Sequence, residues 1–174
     1  MTSDDLRERL AALVPGATVL VGEAFHGQVA IGLGRDGLLD ALRTLRDHPA
    51  LRFEMCSDVT AVDYLGRTPR FEVIYQLYSV SQRHRLRVKV GVPEDDAVVP
   101  SAVAVWKSAN WAERETFDMF GIRFAGHPDL RRILMYPEFT GFPLRKDYPV
   151  ARREPLIPER DPIAEPWYPH GRGA

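Results

Sequence analysis

The apolar positions of the first half of the chain recur with a helical period in two places. The segment DDLRERLAALVPG carries three leucines on one helical face, and Thr2 or Ser3 can cap its first turn. The segment DGLLDALRTLRDHP carries four leucines with the same spacing and is ended by His48-Pro49. Two short amphipathic helices are therefore predicted, with these buried leucines: Leu6, Leu10 and Leu13 in the first, and Leu38, Leu39, Leu42 and Leu45 in the second.

Five other stretches alternate between apolar and polar residues, which is the period of a half-buried strand. Two lie between the helices, in ATVLVGEAFHGQVAIGLG, and three follow the second helix, joined by the short connectors GRTP and SQRH, which predict hairpins. The alternation leaves one sheet face wet, which favours antiparallel pairing with helices on the other face. The order helix-strand-strand-helix-strand-strand-strand predicts a two-layer α+β domain. Its core-facing residues include Phe71, Val73, Tyr75, Leu77, Leu86, Val88, Val90 and Val92.

The second half of the chain begins with a turn-rich connection, PEDDAVVP, into two helical segments in SAVAVWKSANWAERETFDMFG. From Pro137 onward prolines become frequent, so this part is expected to run extended. We expect residues 1–136 to form the α+β domain and residues 137–174 to form a partner-binding tail. A flexible, unbound terminus is the alternative. The tail is rich in apolar side chains for a free terminus: Leu156, Ile157, Ile163, Trp167 and Tyr168.

Composition narrows the class of protein. The chain has 174 residues, 45% hydrophobic and 27% charged, with a net charge of −1, as expected for a soluble globular protein without affinity for nucleic acid or an anionic membrane. Its single cysteine, Cys56, excludes an internal disulfide and a multi-cysteine metal or iron–sulfur site, and we expect it to be a packing residue. No apolar run reaches the ~20 residues that span a bilayer. We expect a cytoplasmic protein that reaches a membrane only through its partners.

The charged segment NWAERETFDMFG predicts a helix from Asn110 to Gly121. Asn110 and Glu113 have the spacing of a capping box, and Gly121 stands where a left-handed residue ends a helix. Arg114 and Asp118 are four residues apart and are expected to pair on one face. A structural role therefore accounts for most of these charges.

Two chemical interpretations remain beside the structural one. Glu115, Asp118 and His127 contain metal-ligand and acid–base side chains, so a free-standing metal-dependent enzyme is an alternative. The glycines of GLGRDG match neither the dinucleotide fingerprint nor the P-loop spacing. The basic clusters Arg131-Arg132 and Arg145-Lys146-Asp147 are small and mixed with acids, which favours pairing with a protein partner over nucleic acid.

One family motif connects these charged segments. ERETFDMFGIRFAGHPDLRRIL resembles the defining motif of the C-type subunits of proton-pumping NADH-quinone oxidoreductase, respiratory complex I, and GFPLRKDYP resembles the block that follows it. Ala112 and Thr116 are smaller than the family leads us to expect, which is expected to loosen a local contact. The matching positions are Glu113, Arg114, Glu115, Asp118, His127, Arg131, Arg132, Ile133 and Leu134, followed by Arg145, Lys146 and Asp147.

The resemblance implies a mixed, largely antiparallel sheet in a hydrophilic-arm subunit that has no redox centre of its own. FMN, iron–sulfur clusters and quinone are expected on other subunits, and the isolated chain is expected to be inactive. The implied partners are complex I subunits, chiefly the D-type subunit that helps to form the quinone cavity, on the cytoplasmic side of the bacterial cell membrane. The equivalent subunit of a related membrane-bound hydrogenase or formate hydrogenlyase is the alternative.

Overall fold

The computed structural model describes residues 2–14, 16–20 and 28–151, which contain helices on one side of a five-stranded sheet. The α-helices are α1 (Ser3–Leu13), α2 (Leu38–Asp47) and α3 (Ala109–Phe120), and a 3-10 helix spans Ala102–Ala104. The strands are β1 (Thr18–Leu20), β2 (Val29–Leu33), β3 (Met55–Asp63), β4 (Phe71–Ser79), β5 (His84–Val92), β6 (Val98–Pro100) and β7 (Arg123–Ala125).

The main sheet has the strand order β1-β2-β5-β4-β3. Both predicted hairpins are present, because β3 pairs antiparallel with β4, and β4 with β5. β1 also pairs antiparallel with β2, whereas β2 and β5 are parallel, with Val29 opposite Leu86. The predicted α+β fold with a mixed, largely antiparallel sheet is confirmed.

The core forms where the apolar periods of strands and helices meet. Thr2 and Asp5 form a capping box at the start of α1, which confirms Thr2 as the cap. Leu13 and Leu39, although predicted in the core, are only partly buried. The predicted core residues of β4 and β5 are all at most 2% exposed, and the helices add these buried leucines: Leu6, Leu10, Leu38, Leu42 and Leu45.

The prediction of a plain turn-rich connection before α3 is incomplete. The short strand β6 lies there and pairs in parallel with β7, which follows α3, so that Val99 stands opposite Phe124. Both residues are at most 2% exposed. Each strand has only three residues, which is too short for an alternating pattern to be visible in the sequence.

α3 covers the edge of the sheet formed by β3. Ser108 Oγ donates to the carbonyl of Cys56 at 2.8 Å, and Thr116 Oγ1 donates to the carbonyl of Val59 at 2.9 Å. These bonds occupy edge carbonyls that another chain could otherwise pair with. Thr116 was expected to loosen a contact, but it is 2% exposed and makes one, because its hydroxyl reaches the strand.

Residues 137–151, the first part of the predicted tail, contact the α+β domain. The nitrogen of Leu144 donates to the carbonyl of Met119 at 3.1 Å, and Arg145 Nε donates to the carbonyl of Phe120 at 2.6 Å. Residues 152–174 lie outside the described residues. The partner-binding role of the tail, including its apolar residues, stays a prediction.

Candidate partner-binding site

α3 carries Glu113, Arg114, Glu115 and Asp118 of the predicted site. It ends as expected, because Gly121 adopts a left-handed conformation with φ of 75°. The predicted capping box of Asn110 and Glu113 is wrong. The helix begins at Ala109 after Ser108, and the Glu113 carboxyl is turned into the protein, where it meets donors from an earlier segment.

Glu113 joins α3 to the 3-10 helix that precedes it. Its side chain is fully buried, Oε2 accepts from Ser101 Oγ and Oε1 accepts from the nitrogen of Ala102, both at 2.6 Å. Ser101 Oγ also accepts from the nitrogen of Val103 at 3.2 Å. Burial raises the pKa of Glu113 to about 7, against the lowering effect of Ser101 and Ala102. The carboxyl therefore acts as a buried clamp between two segments.

Two other polar groups in the core are affected by Glu113. Burial raises the pKa of Tyr75 well above its ordinary value, and the charge of Glu113 adds to this effect. Within the described residues, the Tyr75 hydroxyl is buried and has no hydrogen-bond partner. Burial also raises the pKa of Cys56 to about 12, and its thiol lies 3.5 Å from the carbonyl of Asp58. Cys56 is 2% exposed in β3, as expected for a packing residue.

Asp118 holds the segment that follows β7. Its buried carboxylate accepts from the nitrogens of Ile133, Leu134 and Met135 at 3.0, 2.8 and 2.8 Å, and from Arg132 Nη1 at 2.7 Å. Burial raises the pKa of Asp118, but the bonds from the three amides and from Arg132 outweigh it, so the pKa is lowered overall. An ionised Asp118 thus orders a turn 14 to 17 residues away.

The predicted pair of Arg114 and Asp118 is wrong, because Arg114 is directed to backbone carbonyls. Arg114 Nε donates to the carbonyl of Arg131 at 3.1 Å, and Nη2 donates to that of Arg132 at 3.3 Å. Its guanidinium lies 5.1 Å from the ring centre of Trp111. Arg114 and Asp118 consequently hold the same segment from two positions on α3.

The structure does not assemble the alternative metal or acid–base site. Glu115 is exposed, whereas Asp118 is fully buried and occupied by its four donors. His127 Nδ1 accepts from the nitrogen of Asp129 at 3.0 Å, and its Nε2 lies 3.1 Å from the carbonyl of Asn110, so the ring joins two backbone segments. In the described part of the chain, no group of three or more His, Cys, Asp or Glu is arranged to hold a metal ion.

Arginines and aromatic rings alternate beyond Asp118. The guanidinium of Arg132 lies 5.7 Å from the ring centre of Phe139 and 5.5 Å from that of Phe142. Arg145 lies 4.7 Å from Phe142 and 5.0 Å from Phe71. Such contacts fix the planar guanidinium groups against the rings. Of the basic predicted residues, Arg131 differs, because it is exposed and pairs with Asp129 at 2.9 Å.

Arg70 is a buried centre that the sequence analysis missed. It is 4% exposed and binds both carboxylate oxygens of Asp63 at 2.9 and 2.8 Å, and those of Asp147 at 2.7 and 3.1 Å. Hydrogen bonding to Arg70 lowers the pKa of Asp63 and of Asp147. Asp63 also accepts from the nitrogen of Lys146 at 2.8 Å. Asp63 and Arg70 flank the predicted hairpin between β3 and β4, which is a signal for a cross-strand pair.

The cluster of Arg145, Lys146 and Asp147 was expected to bind a neighbour, but two of its members use their charged groups inside the chain. Arg145 binds the end of α3, and Asp147 binds Arg70. The side chain of Lys146 is exposed. The cluster thus anchors residues 144–148 on the domain.

The anchored segments carry an outer apolar set, which we define as Trp111, Leu134, Tyr136 and Leu144. Their exposed fractions are 65%, 56%, 38% and 53%. Leu134 follows the turn held by Asp118, and Trp111 supports Arg114. Aromatic, aliphatic and arginine side chains of this kind are typical of the centres of protein–protein interfaces. The motif therefore presents large apolar groups outside while its charges work inside.

Within the described ranges, no helix has the length and apolar character needed to cross a bilayer. In solved structures, the chain is similar to the trypsin-resistant fragment (1–134) of Nqo5, with a TM-score of 0.62 and 32% identity over 75% of this chain and all of that one. It is also similar to a chain of the membrane-bound sulfane sulfur reductase, an archaeal respiratory membrane complex. That match has a TM-score of 0.72 and 25% identity over 85% of this chain and 86% of that one.

Sequence comparisons agree with the fold. The chain is 45% identical to the C-type subunit of NADH-quinone oxidoreductase from Geobacter sulfurreducens over 90% of both proteins. It is 49% identical to the subunit of the same name from a Roseiflexus species over 84% of both. Residues 31–154 match the family model described as respiratory-chain NADH dehydrogenase, 30 Kd subunit. The resemblance of the charged motif is thereby confirmed, and the chain belongs to the family of the 30 kDa subunit of respiratory-chain NADH dehydrogenase.

Proposed function

We propose that this chain is a structural subunit in the hydrophilic arm of a proton-translocating NADH:quinone oxidoreductase, where it braces the D-type subunit and carries no redox centre. One observation supports this role above the others. The buried carboxyls of Glu113 and Asp118 each hold a distant backbone segment, and the surface built on those segments is apolar and exposed. The charges of the family motif thus shape a docking surface.

A bracing role fits the physical state of the motif better than catalysis does. A general acid or base must reach a proton of the substrate, yet Glu113 and Asp118 are fully buried and bonded to their own chain. Partner binding needs a fixed shape instead, because every side chain ordered beforehand reduces the entropy lost on association. Arg114, Arg132 and Arg145 supply that order by holding backbone carbonyls and rings.

The assembly would place the chemistry elsewhere. FMN, the iron–sulfur clusters and the quinone would be held by other subunits, and the isolated chain would be inactive towards NADH. Attachment to the cytoplasmic side of the bacterial membrane would come through the complex. The outer apolar set and the proline-rich residues from about Val150 onward would both face the D-type subunit.

A second candidate is the equivalent subunit of a related membrane-bound complex. The structural similarity to a chain of an archaeal sulfane sulfur reductase supports it, since this subunit fold also occurs in that machine. The identities of 45% and 49% to C-type subunits of NADH-quinone oxidoreductase favour the first candidate. Affinity purification of the tagged chain from membranes separates the two, because only the first predicts a copurified flavin-containing NADH-oxidising subunit.

The docking surface can be tested by removing its apolar groups. Trp111→Ala combined with Leu134→Ala is expected to lower copurification of the D-type subunit at least roughly tenfold, because central aromatic and aliphatic anchors dominate binding. The matched control is Leu65→Ala with Val80→Ala, two side chains that are 53% and 57% exposed outside the surface. Circular dichroism melting checks that both variants fold. Equal copurification of the D-type subunit by the two double variants would refute the assignment of this surface.

A further inference from the structure

A groove lies on the sheet face opposite the helices, away from the motif. It has a volume of about 530 Å³ and crosses β2, β5, β4 and β3 near one end of the sheet. Two rows of side chains line it, because the strands are in register. Arg85 stands opposite Tyr78 and Tyr78 opposite Met55 in the first row, and the second row is Arg87, Gln76 and Asp58.

The charges in this groove are unbalanced. Arg85 and Arg87 face one carboxylate, Asp58, and none of the three forms an ion pair in the described part of the chain. Register explains this, since two strand spacings separate Arg87 from Asp58, or roughly 10 Å. Further along β5, Lys89 does pair with Glu72 at 2.8 Å. Unpaired cations are therefore a property of the groove and not of the whole sheet face.

The arginines are also held in position for a ligand. The guanidinium of Arg85 lies 5.5 Å from the ring centre of Tyr78, so the ring supports its plane. Arg87 Nε is buried and has no hydrogen-bond partner among the described residues. A buried donor without an acceptor costs free energy, which a carboxylate with two acceptor oxygens would recover.

We infer that this groove binds an extended segment of a neighbouring subunit, which places an acidic side chain between Arg85 and Arg87. The inference rests on the proposed function only in that the neighbour belongs to the same complex. Charge complementarity selects a carboxylate, because the groove has two cations and one anion. The other groups select a polypeptide over a small anion. Met55 is 48% exposed and offers an apolar contact, while Gln76 offers both a donor and an acceptor to a peptide backbone.

The dimensions fit a short peptide. Four neighbouring strands span roughly 14 Å, and an extended chain advances about 3.3 Å per residue, so about four residues cross the groove. The acidic residue of such a segment would lie over β5, and an apolar residue two positions away would reach Met55 over β3. The occupant is thus a segment with an acidic and an apolar residue on the same side of an extended chain.

Photocrosslinking in the purified complex tests this inference. The benzophenone amino acid p-benzoylphenylalanine replaces Tyr78, in the full chain incorporated into the complex. The control position is Tyr64, which also has an arginine over its ring, Arg67 at 4.5 Å, but lies at the other end of β3 and β4. Mass spectrometry identifies the crosslinked peptides. We expect position 78 to link to a peptide of another subunit that contains Asp or Glu.

The charge requirement is tested in the same complex with Arg85→Gln and Arg87→Gln combined. The yield of the crosslink from position 78 is expected to fall roughly tenfold, while that from position 64 stays unchanged. Unchanged yield at position 78, no crosslink, or crosslinks only to peptides of this chain would each overturn the inference. These outcomes differ from failure of the proposed function, in which the wild-type chain would not enter the complex at all.

Discussion

The nitrogen of Ala102 donates a hydrogen bond of 2.6 Å to Oε1 of Glu113, eleven residues away in the chain and fully inside the protein. The other oxygen of this carboxyl is bound by the Ser101 hydroxyl. Burial raises the pKa of Glu113 from 4.5 to about 7. The folded protein therefore keeps a proton at acidities where the unfolded chain releases it.

Glu113→Gln is expected to remove a pH dependence of stability. Between pH 4.5 and about 7 the folded state binds more protons at this site than the unfolded state, so the free energy of unfolding falls as pH rises and then levels off. The total change is about 3 kcal/mol at most. Glutamine mimics the protonated acid, because its oxygen accepts from Ala102 and its amide donates to Ser101. Urea unfolding of both proteins at about pH 5 and about pH 8 measures the effect.

Glu115→Gln is the matched control for this prediction, because Glu115 is an exposed carboxyl on the same helix. It is expected to keep the pH dependence of the wild type. If Glu113→Gln keeps it as well, then the buried carboxyl does not titrate in this range and its proton plays no part in stability.

Asp118→Asn is expected to destabilise the domain at neutral pH by about 2 to 4 kcal/mol. The carboxylate accepts from three backbone nitrogens, whereas the amide of asparagine turns a donor towards them. Hydrogen exchange at Ile133, Leu134 and Met135 should accelerate, which locates the loss in this segment. The control is Asp129→Asn, which removes only an exposed pair with Arg131.

The acid response of Asp118 has the opposite sign from that of Glu113. Its folded pKa is lowered from 3.8, so its stabilisation is present above that value and is lost as pH falls through the folded pKa. The wild type should therefore approach the stability of Asp118→Asn in acid. A constant difference between the two proteins from neutral pH to below the folded pKa would show that the ionised carboxylate is not what holds the segment.

The sequence predicted the parts of this fold that depend on local periods. The alternation of Phe71, Val73, Tyr75 and Leu77 fixes which face of β4 is buried, and the short connector after it fixes an antiparallel neighbour. The parallel pairing of β2 with β5 joins segments about fifty residues apart, which no local pattern encodes. The family motif identified the charged residues but not their partners.

The errors at the site have the same physical origin. Asn110 and Glu113 have the spacing of a capping box, yet Glu113 binds Ser101 and Ala102 because the fold brings these donors to a buried side chain. A side chain on a helix has local and distant candidates for its hydrogen bonds, and the sequence shows only the local ones. Arg70 was missed for this reason, since its partners lie 7, 24 and 77 residues away.

Gly121→Ala is expected to loosen the anchor of residues 142–148. A Cβ atom on Gly121 would lie 2.5 Å from Phe142 and 2.7 Å from Arg145 Nη2, in addition to the strain of a φ of 75°. Gly126→Ala is the matched control, because its φ is 81° and a Cβ atom there meets nothing within 4 Å. The control should lose about 1 kcal/mol of stability from backbone strain alone.

The excess loss in Gly121→Ala over Gly126→Ala measures the contact with Phe142 and Arg145. We expect it to exceed roughly 1 kcal/mol, the usual cost of overpacking a filled site. Limited proteolysis after Arg145 or Lys146 should also become faster. Equal losses in the two variants would mean that the ring of Phe142 moves aside at no cost and that the anchor is weak.

Deletion of residues 152–174 is expected to separate folding from assembly. The contacts that hold residues 144–148 on the domain, Arg145 with Phe120 and Asp147 with Arg70, all remain in the shortened chain. Its melting temperature should therefore stay within about 2 °C of that of the full chain. The deleted part is rich in proline and contains Trp167 and Tyr168, so it can offer apolar contacts to a partner at a low entropic cost.

Incorporation of the shortened chain into the membrane-bound complex should consequently fall, measured by copurification of the D-type subunit. Arg145→Ala in the full chain is the informative comparison, since it weakens the anchor while keeping the deleted residues. It should lower the melting temperature, which the deletion should not. A deletion that unfolds the isolated domain would place these residues in its own core. A deletion that changes neither the melting temperature nor the copurification would mean that they form a free terminus, because an interface segment cannot be removed without a loss of binding.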